Sequence, residues 1–326
     1  MAGLGLLLAT GCKSPESGSN HAAQGVSISE FTNRLRVEIN GRLFTEYFFK
    51  DVPRPYCYPI IGPGGTEMTR NWPMKNVPGE EHDHPHHRSL WFGHGLINGQ
   101  DFWSEVKGAG KTVHEKFVKI KSGRDVGIIR SRNKWVSAEG DVVCADDRSL
   151  IFRNTDRPDE QILDFEITFH ASNGDIIFGD TKEGSMAIRV AETMKLGRKK
   201  GLGQAAQTSP SGHIVTSAGD RDDKAWGKRA EWCDYSGPVD GQVIGIAIFD
   251  HPKNPRHPTW WHVRDYGLFA ANPFGKHDFE KLSDNTAGDL DVPAGKNIRF
   301  RYRFFFHKGD SVEGGVAEKY REWVGK

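Results

Sequence analysis

This 326-residue chain has no run approaching the ~20 consecutive apolar residues that a membrane-spanning helix requires, so no helical span is expected. An excess of one charge is missing too. Lys and Arg total 44 against 43 Asp and Glu, a formal net charge of +1. Without a basic excess there is little to drive binding to a phosphate backbone, and a nucleic-acid partner is disfavoured. Cysteine is scarce: Cys12, Cys57, Cys144 and Cys233, none in a CxxC pair. That argues against a disulfide framework and a thiolate zinc site. Buried thiols are expected at Cys57, Cys144 and Cys233, with a single bridge as the alternative. With 19 Phe and 9 Trp the chain is no disordered polymer. Its 38 Gly and 16 Pro point to many turns and few long helices, hence to an all-β fold.

Alternation of apolar and polar residues supports that reading. In Arg34–Ile39 the side chains of Leu35, Val37 and Ile39 share one face and the charged residues the other, the period-two pattern of a half-buried strand. Asn40-Gly41 follows, then a second strand over Leu43–Phe49. Asn-Gly between two such runs predicts a hairpin, because both turn positions need positive φ. Further strands are expected at 117–120, 126–130, 134–138, 149–153, 161–170, 185–190, 242–249, 260–263, 267–270 and 297–307. The last sets Phe300, Tyr302, Phe304 and Phe306 opposite Arg299, Arg301 and Arg303, as a strand with one face in a core does. The one clear helical pattern is C-terminal, with Ser311 able to cap it and Val312, Val316, Tyr320 and Trp323 on one stripe. These elements predict one large antiparallel β-sandwich over residues 26–326, closed by a C-terminal helix.

Residues 1–25 read differently. Met1–Cys12 carries a short apolar run, Leu4–Ala9, ending at Gly11-Cys12, and resembles the end of a bacterial lipoprotein signal. No Lys or Arg precedes the run, which a signal n-region requires. Cys12 is the expected lipidation site, and the polar segment after it a flexible tether. Lys13 would suit an outer-membrane destination. The expected location is the periplasm or the outer membrane, with membrane contact only through the lipid.

Chemistry-bearing residues crowd into four stretches. Residues 80–95 hold five of the 14 histidines: His82, His84, His86, His87 and His94, with Arg88. Imidazoles move protons near neutral pH or ligate metals. If the segment is extended, His84 and His86 point one way and His87 the other. Residues 179–189 bring Lys182 and Glu183 to the mouth of a strand, where a carboxylate can serve as base or ligand. Residues 250–265 carry His251, His257, Trp260, Trp261, His262, Arg264 and Asp265. Indole faces stack on sugar C–H faces while imidazole and guanidinium meet hydroxyls; since strand neighbours face opposite sides, one of the two Trp must belong to the core. Residues 91–103 add Trp91, Asn98, Asp101 and Trp103.

Together HDHPHHRSLWFGHGLINGQDFW, GDTKEGSMAIRV and HPTWWHVRDYGLFAANPFG resemble a bacterial family of unknown function labelled PmoA, or methane-oxygenase-like, over most of the chain after Val26. A particulate methane monooxygenase subunit is membrane-embedded and this chain has no span, so the label's chemistry does not carry over. More distantly the chain resembles the galactose-mutarotase-like β-supersandwich. That resemblance implies a sugar site in which a His protonates the ring oxygen and a carboxylate takes the anomeric hydroxyl proton. His87 or His84 would then be the acid, Arg88 would steer hydroxyls and Glu183 would be the base, with Asp265 or Glu280 as alternatives. His262 joins the catalytic set. His86, Trp91, His94, Asn98, Trp103, Lys182, His257, Trp261, Arg264 and Asp265 would contact the ligand, a small molecule or oligosaccharide, without a cofactor. Two further readings stand beside it. One is an oxygenase-like enzyme with a divalent metal on His84, His86 and Glu183. The other is a non-catalytic envelope interaction module.

Overall fold

The computed structural model describes residue 1 and residues 24–155, 157–197 and 211–325. The expected lipidation site Cys12 lies outside them. In chain order the strands are β1 (Val26–Glu30), β2 (Arg34–Ile39), β3 (Arg42–Phe48), β4 (Tyr56–Ile60), β5 (Leu90–His94) and β6 (Lys111–Lys121). Then come β7 (Val126–Val136), β8 (Val142–Arg153), β9 (Glu160–His170), β10 (Ile176–Phe178), β11 (Gly184–Arg189) and β12 (His213–Thr216). The last six are β13 (Trp232–Val239), β14 (Gln242–Asp250), β15 (Trp260–Val263), β16 (Leu268–Asn272), β17 (Leu290–Val292) and β18 (Asn297–Lys308). Two α-helices, α1 (Lys276–Glu280) and α2 (Val316–Val324), and three short 3-10 turns complete the regular structure of the described residues. Among the described residues no helix is long and apolar enough to cross a membrane.

The strands form two eight-stranded antiparallel sheets packed as a large sandwich. The first runs β1-β2-β3-β4-β5-β11-β16-β15 and the second β12-β13-β14-β18-β9-β8-β7-β6; β10 and β17 pair separately. Inward-facing residues of both sheets make one apolar core, including Leu90, Phe92, Met186 and Ile188 from the first sheet and Phe165, Phe300, Phe304 and Phe306 from the second. On the other face of β18, Arg299 pairs with Glu166, and Arg303 with Asp164. Cys57, Cys144 and Cys233 are buried free thiols.

The hairpin at Asn40-Gly41 forms with φ of 51° and 74° at the two turn residues. Its second strand begins at Arg42, one residue before the expected start. The runs expected separately at 126–130 and 134–138 are one strand, β7. Ser131 and Asn133, whose polarity interrupts the apolar pattern, point inward instead. There Asn133 Nδ2 donates to Asp146 at 2.9 Å, and Trp135 Nε1 to the same carboxylate at 2.8 Å. The C-terminal helix starts later than expected, at Val316 after Gly315 in a left-handed conformation. Ser311 and Val312 lie in the preceding turn, held by Asp310, and Val312 is exposed. Val316 and Tyr320 pack on Ala247, Phe249 and Phe305 on the outer face of the second sheet.

Strand register sets what the first sheet shows outward. Tyr56 pairs with Trp91, Trp91 with Ala187, Ala187 with Ala270, and Ala270 with His262. This row has aromatic rings at one side, an imidazole at the other and two alanines between. Small central residues flanked by large ones leave a depression in the outer surface of the sheet.

Candidate active site

A cleft of about 690 Å³ sits over that row. One wall is the His84–His87 loop with Trp103, another is Thr181–Glu183, and the third is His262, Arg264 and Tyr266. Segments as far apart in sequence as His84 and Tyr266 therefore meet at one place. His262, Arg264 and Tyr266 follow at steps of two at and just beyond the end of β15, and all three reach the cleft.

The histidine loop is not an extended strand. It turns at His84, with φ of 42°, and the His87 N–H returns to the His84 carbonyl at 3.0 Å. The turn brings all three imidazoles to the cleft, contrary to the alternation expected of an extended chain. His84 stacks on His87 with ring centroids 4.7 Å apart, and His86 meets His87 edge-on at 4.4 Å.

Buried arginines hold this loop. Arg70 donates to the Asp83 carboxylate and to the carbonyls of Asp83 and His84, both at 3.0 Å. Arg189 donates to the Asp83 carboxylate at 2.9 Å and to His87 Nδ1 at 3.1 Å. Arg54 donates to the carbonyls of His86 at 3.1 Å, Trp103 at 2.7 Å and Ser104 at 2.9 Å. All three arginines are essentially inaccessible to solvent. Burial pushes the Arg54 guanidinium down to about 10, which leaves it charged at neutral pH.

These contacts fix the protons on each ring. Burial favours the neutral acid form of Asp83, but the hydrogen bond with His84 and the charges of Arg189 and Arg70 outweigh it and hold the carboxyl well below the usual range. An ionised carboxylate only accepts, so His84 donates Nδ1–H to Asp83 Oδ2 at 2.7 Å and keeps Nε2 for a ligand. A guanidinium only donates, so His87 Nδ1 accepts from Arg189 and its proton sits on Nε2. Burial, then the charges of neighbouring His86, Arg189, His84 and Arg70, lower the His87 pKa well below its ordinary value. His262 Nδ1 donates to the Lys182 carbonyl, leaving an Nε2 lone pair; burial lowers its pKa to about 4. His86 is likewise lowered to about 4, by burial first and by the Arg54 charge second.

The opposite wall is the Lys182–Glu183 turn. Asn272 Nδ2 donates to the carbonyls of Thr181 at 3.0 Å and Lys182 at 2.9 Å, and Gly95 N–H donates to the Glu183 carbonyl at 2.6 Å. These bonds fix the backbone and leave both side chains in the open cleft, Lys182 Nζ standing 3.4 Å from Glu183 Oε1. Arg264 lies over the rings of Trp226 and Tyr266, at 5.7 and 5.5 Å, and has no ion-pair partner among the described residues.

The cleft thus gathers His84, His86, His87, Glu183, His262, Trp103, Lys182 and Arg264. Trp91 lies just beneath, its ring 5.2 Å from His87. Other expected site residues are elsewhere. Arg88 is tied to Glu105 by two bonds, at 2.8 and 2.7 Å, behind the loop. His94 alternates into the core face, where its Nε2 meets the Gly179 carbonyl at 2.9 Å. Asn98 braces a turn through Asp175 and Ile177. His257 pairs with buried Asp250 at 2.8 Å, and Asp265 is exposed, with its carboxylate on the Tyr266 N–H. Trp261 is a core residue bonded to the Ala230 carbonyl at 3.0 Å. Strand parity decides it: His262 faces the cleft, so its neighbour cannot. Glu280 is exposed and accepts from Trp260 Nε1 at 3.2 Å. Among the described residues no group of three or more His, Cys, Asp or Glu side chains is arranged to hold a metal, the alternative set of His84, His86 and Glu183 included.

The sequence reading missed Arg54, Arg70, Asp83, Arg189 and Tyr266. Arg189 left one trace. It ends a strand whose every residue is buried, on the face of Ser185 and Ala187, where an unpaired charge is too costly to stand without a partner.

A family described as "Family of unknown function (DUF6807)" matches residues 34–321, and the PmoA label finds no support. No curated protein matches the chain. Among solved structures, a galactose mutarotase related enzyme from Lactobacillus acidophilus is similar at 11% identity and a TM-score of 0.29, with 86% of this chain and 97% of that one covered. A candidate aldose 1-epimerase from Escherichia coli K12 is similar at 10% identity and a TM-score of 0.28, with 88% and 100% covered.

Proposed function

We propose a carbohydrate-directed, acid–base enzyme for this chain, which belongs to the family of unknown function DUF6807. The supporting observation is the convergence of His84, His87, Glu183 and His262 from three distant segments on one aromatic-walled cleft of about 690 Å³. That volume suits a small molecule of one or two sugar rings, within the ~300–1,000 Å³ common for ligand sites. Trp103 and Tyr266 offer ring faces to apolar C–H surfaces, and the imidazoles, Lys182 and Arg264 meet hydroxyls.

In this reading His84 is the principal proton carrier. Asp83 orients its ring and stabilises the imidazolium that forms when Nε2 takes a proton. Glu183 works from the opposite wall, with Lys182 Nζ 3.4 Å from its carboxylate. His262 is held neutral and accepts a hydrogen bond at Nε2. His87 is held neutral and donates one. A proton can then leave one face of a sugar carbon or hydroxyl and be returned from another, the common requirement of epimerase, lyase and hydrolase chemistry. The proposed setting is the cell envelope, with Cys12 as the anchor; a Cys12→Ser variant would lose its membrane association.

The test is a saccharide panel read by thermal shift and calorimetry on the full chain, with products followed by NMR. Binding by at least one mono- or oligosaccharide, with turnover lost in His84→Ala and Glu183→Gln, is expected. A panel that stabilises nothing ends the proposal.

A further inference from the structure

Three buried N–H donors lie in one aromatic cluster at and beneath the cleft wall. They are Nε2 of His87, Nε1 of Trp91 and Nε1 of Trp103, and none has an acceptor among the described residues. The three rings touch pairwise, with centroids 5.2 Å apart for His87–Trp91, 5.8 Å for His87–Trp103 and 5.3 Å for Trp91–Trp103. Their exposures are 1, 1 and 2%. Buried donors without acceptors are rare in native proteins, and an isolated one is ordinarily explained by an unseen partner. Three in one aromatic cluster require an explanation as a group.

The neighbouring acceptors are already engaged. Asp101 accepts from Trp103 N–H at 2.7 Å, from Ser104 N–H at 3.0 Å and from the Ser104 hydroxyl. Glu105 is held by Arg88 and Arg54. Asp83 is shared by Arg70 and Arg189. The last two arrangements each set two guanidiniums against one carboxylate, so the ground behind the histidine loop is rich in positive charge. His87 cannot relieve the cluster by turning its lone pair outward, because Arg189 claims Nδ1.

A cluster of unpartnered N–H donors, backed by arginine, fits an acceptor-only oxygen with negative charge. We propose that it holds the carboxylate of an acidic, uronate-type sugar. This rests on the carbohydrate reading and narrows it: the ring would lie against Trp103 and Tyr266 with its carboxylate turned down toward His87, Trp91 and Trp103. A neutral hydroxymethyl group would place a hydroxyl there, which is a weaker acceptor and brings a donor of its own.

The test compares matched ligands on the full chain: glucuronate and galacturonate saccharides, their neutral glucose and galactose counterparts, and acetate, succinate and inorganic phosphate as sugar-free anions. Calorimetry gives affinity, and the indole N–H resonances of ¹⁵N-labelled protein report on Trp91 and Trp103. The uronates should bind at least about tenfold tighter than their neutral partners, in keeping with a hydrogen bond to a charged group, and move both indole signals downfield. Trp103→Phe, which keeps a ring and removes the N–H, should lose most of that preference, with uronate affinity falling at least about fivefold further than neutral-sugar affinity. Neutral and acidic sugars bound alike, or a preference that survives Trp103→Phe, would overturn the carboxylate assignment and leave the sugar reading standing. Indole shifts with sugar-free anions at equal affinity would keep the recess as an anion site and remove the sugar. Indoles that respond to no ligand, as a recess filled with water only would behave, overturn the inference.

Discussion

Arg189 Nη1 lies 3.1 Å from Nδ1 of His87, a contact between residues 102 apart in sequence that turns an imidazole into a fixed hydrogen-bond donor. Neither residue could be assigned this role alone. His87 in isolation is an obvious acid–base candidate, and Arg189 the end of a buried strand. Together they leave the proton on Nε2, so in the proposed reaction His87 would bind or polarise while proton transfer would fall to His84.

The tautomer is directly measurable. Long-range ¹⁵N–¹H correlation at pH 7 is expected to show His87 neutral with its proton on Nε2, and His262 neutral with its proton on Nδ1. The opposite tautomer at His87 would mean that the Arg189 contact does not form in solution.

Arg54 should matter for stability more than any exposed cleft residue. Arg54→Met removes the donors to three carbonyls, of His86, Trp103 and Ser104. Buried acceptors left unpaired cost ~1–3 kcal/mol each, and partial relaxation puts the expected loss at about 3–5 kcal/mol in urea denaturation. A loss under about 1 kcal/mol would show that the loop is held by other means.

Stability should fall on mild acidification. His86, His94 and His262 are each lowered to about 4 by burial, against an ordinary value near 6.5. Between those values the unfolded chain takes up protons that the folded chain does not, so this part of the stability is complete above about pH 6.5 and is lost as pH falls toward 4. The size is on the order of 3 kcal/mol for each ring if it acts alone. Thermal melts from pH 8 to 4 should show the decline, and a His262→Gln variant a shallower one. A flat profile would mean these rings are protonated in the folded protein.

Stability and chemistry should separate between a core residue, Trp261, and a cleft residue, His84. Trp261→Phe loses part of a buried ring and the bond to the Ala230 carbonyl, on the order of 1–2 kcal/mol, with ligand affinity unchanged. His84→Ala, half-exposed at the cleft, should leave melting within about 1 kcal/mol of wild type and lower turnover by about 100-fold or more. The reverse pattern would return Trp261 to the site.

Much of this arrangement was legible in the residues. Alternation located β2, β9, β14 and β18 almost to the residue, because each is long enough to show its period. Rarity located the site: imidazole and indole concentrate in few stretches, and those stretches converge. Short strands such as β10 and β17, three residues each, carry no period to read. The direction of each histidine depended on a turn at His84 that an extended reading reverses. The arginines were hidden for a different reason. Composition marks Arg54 and Arg70 as surface residues, and only their distant partners, Asp83 and a row of backbone carbonyls, make their burial affordable.

The proposed function requires distant segments to act as one cleft. The most direct measurement is an NMR titration with the tightest-binding saccharide, following side-chain signals of His84, His87, Trp103, Glu183, His262 and Tyr266. All are expected to shift together and to fit a single dissociation constant. Shifts confined to one segment, or appearing instead around His307 on the second sheet, would contradict it.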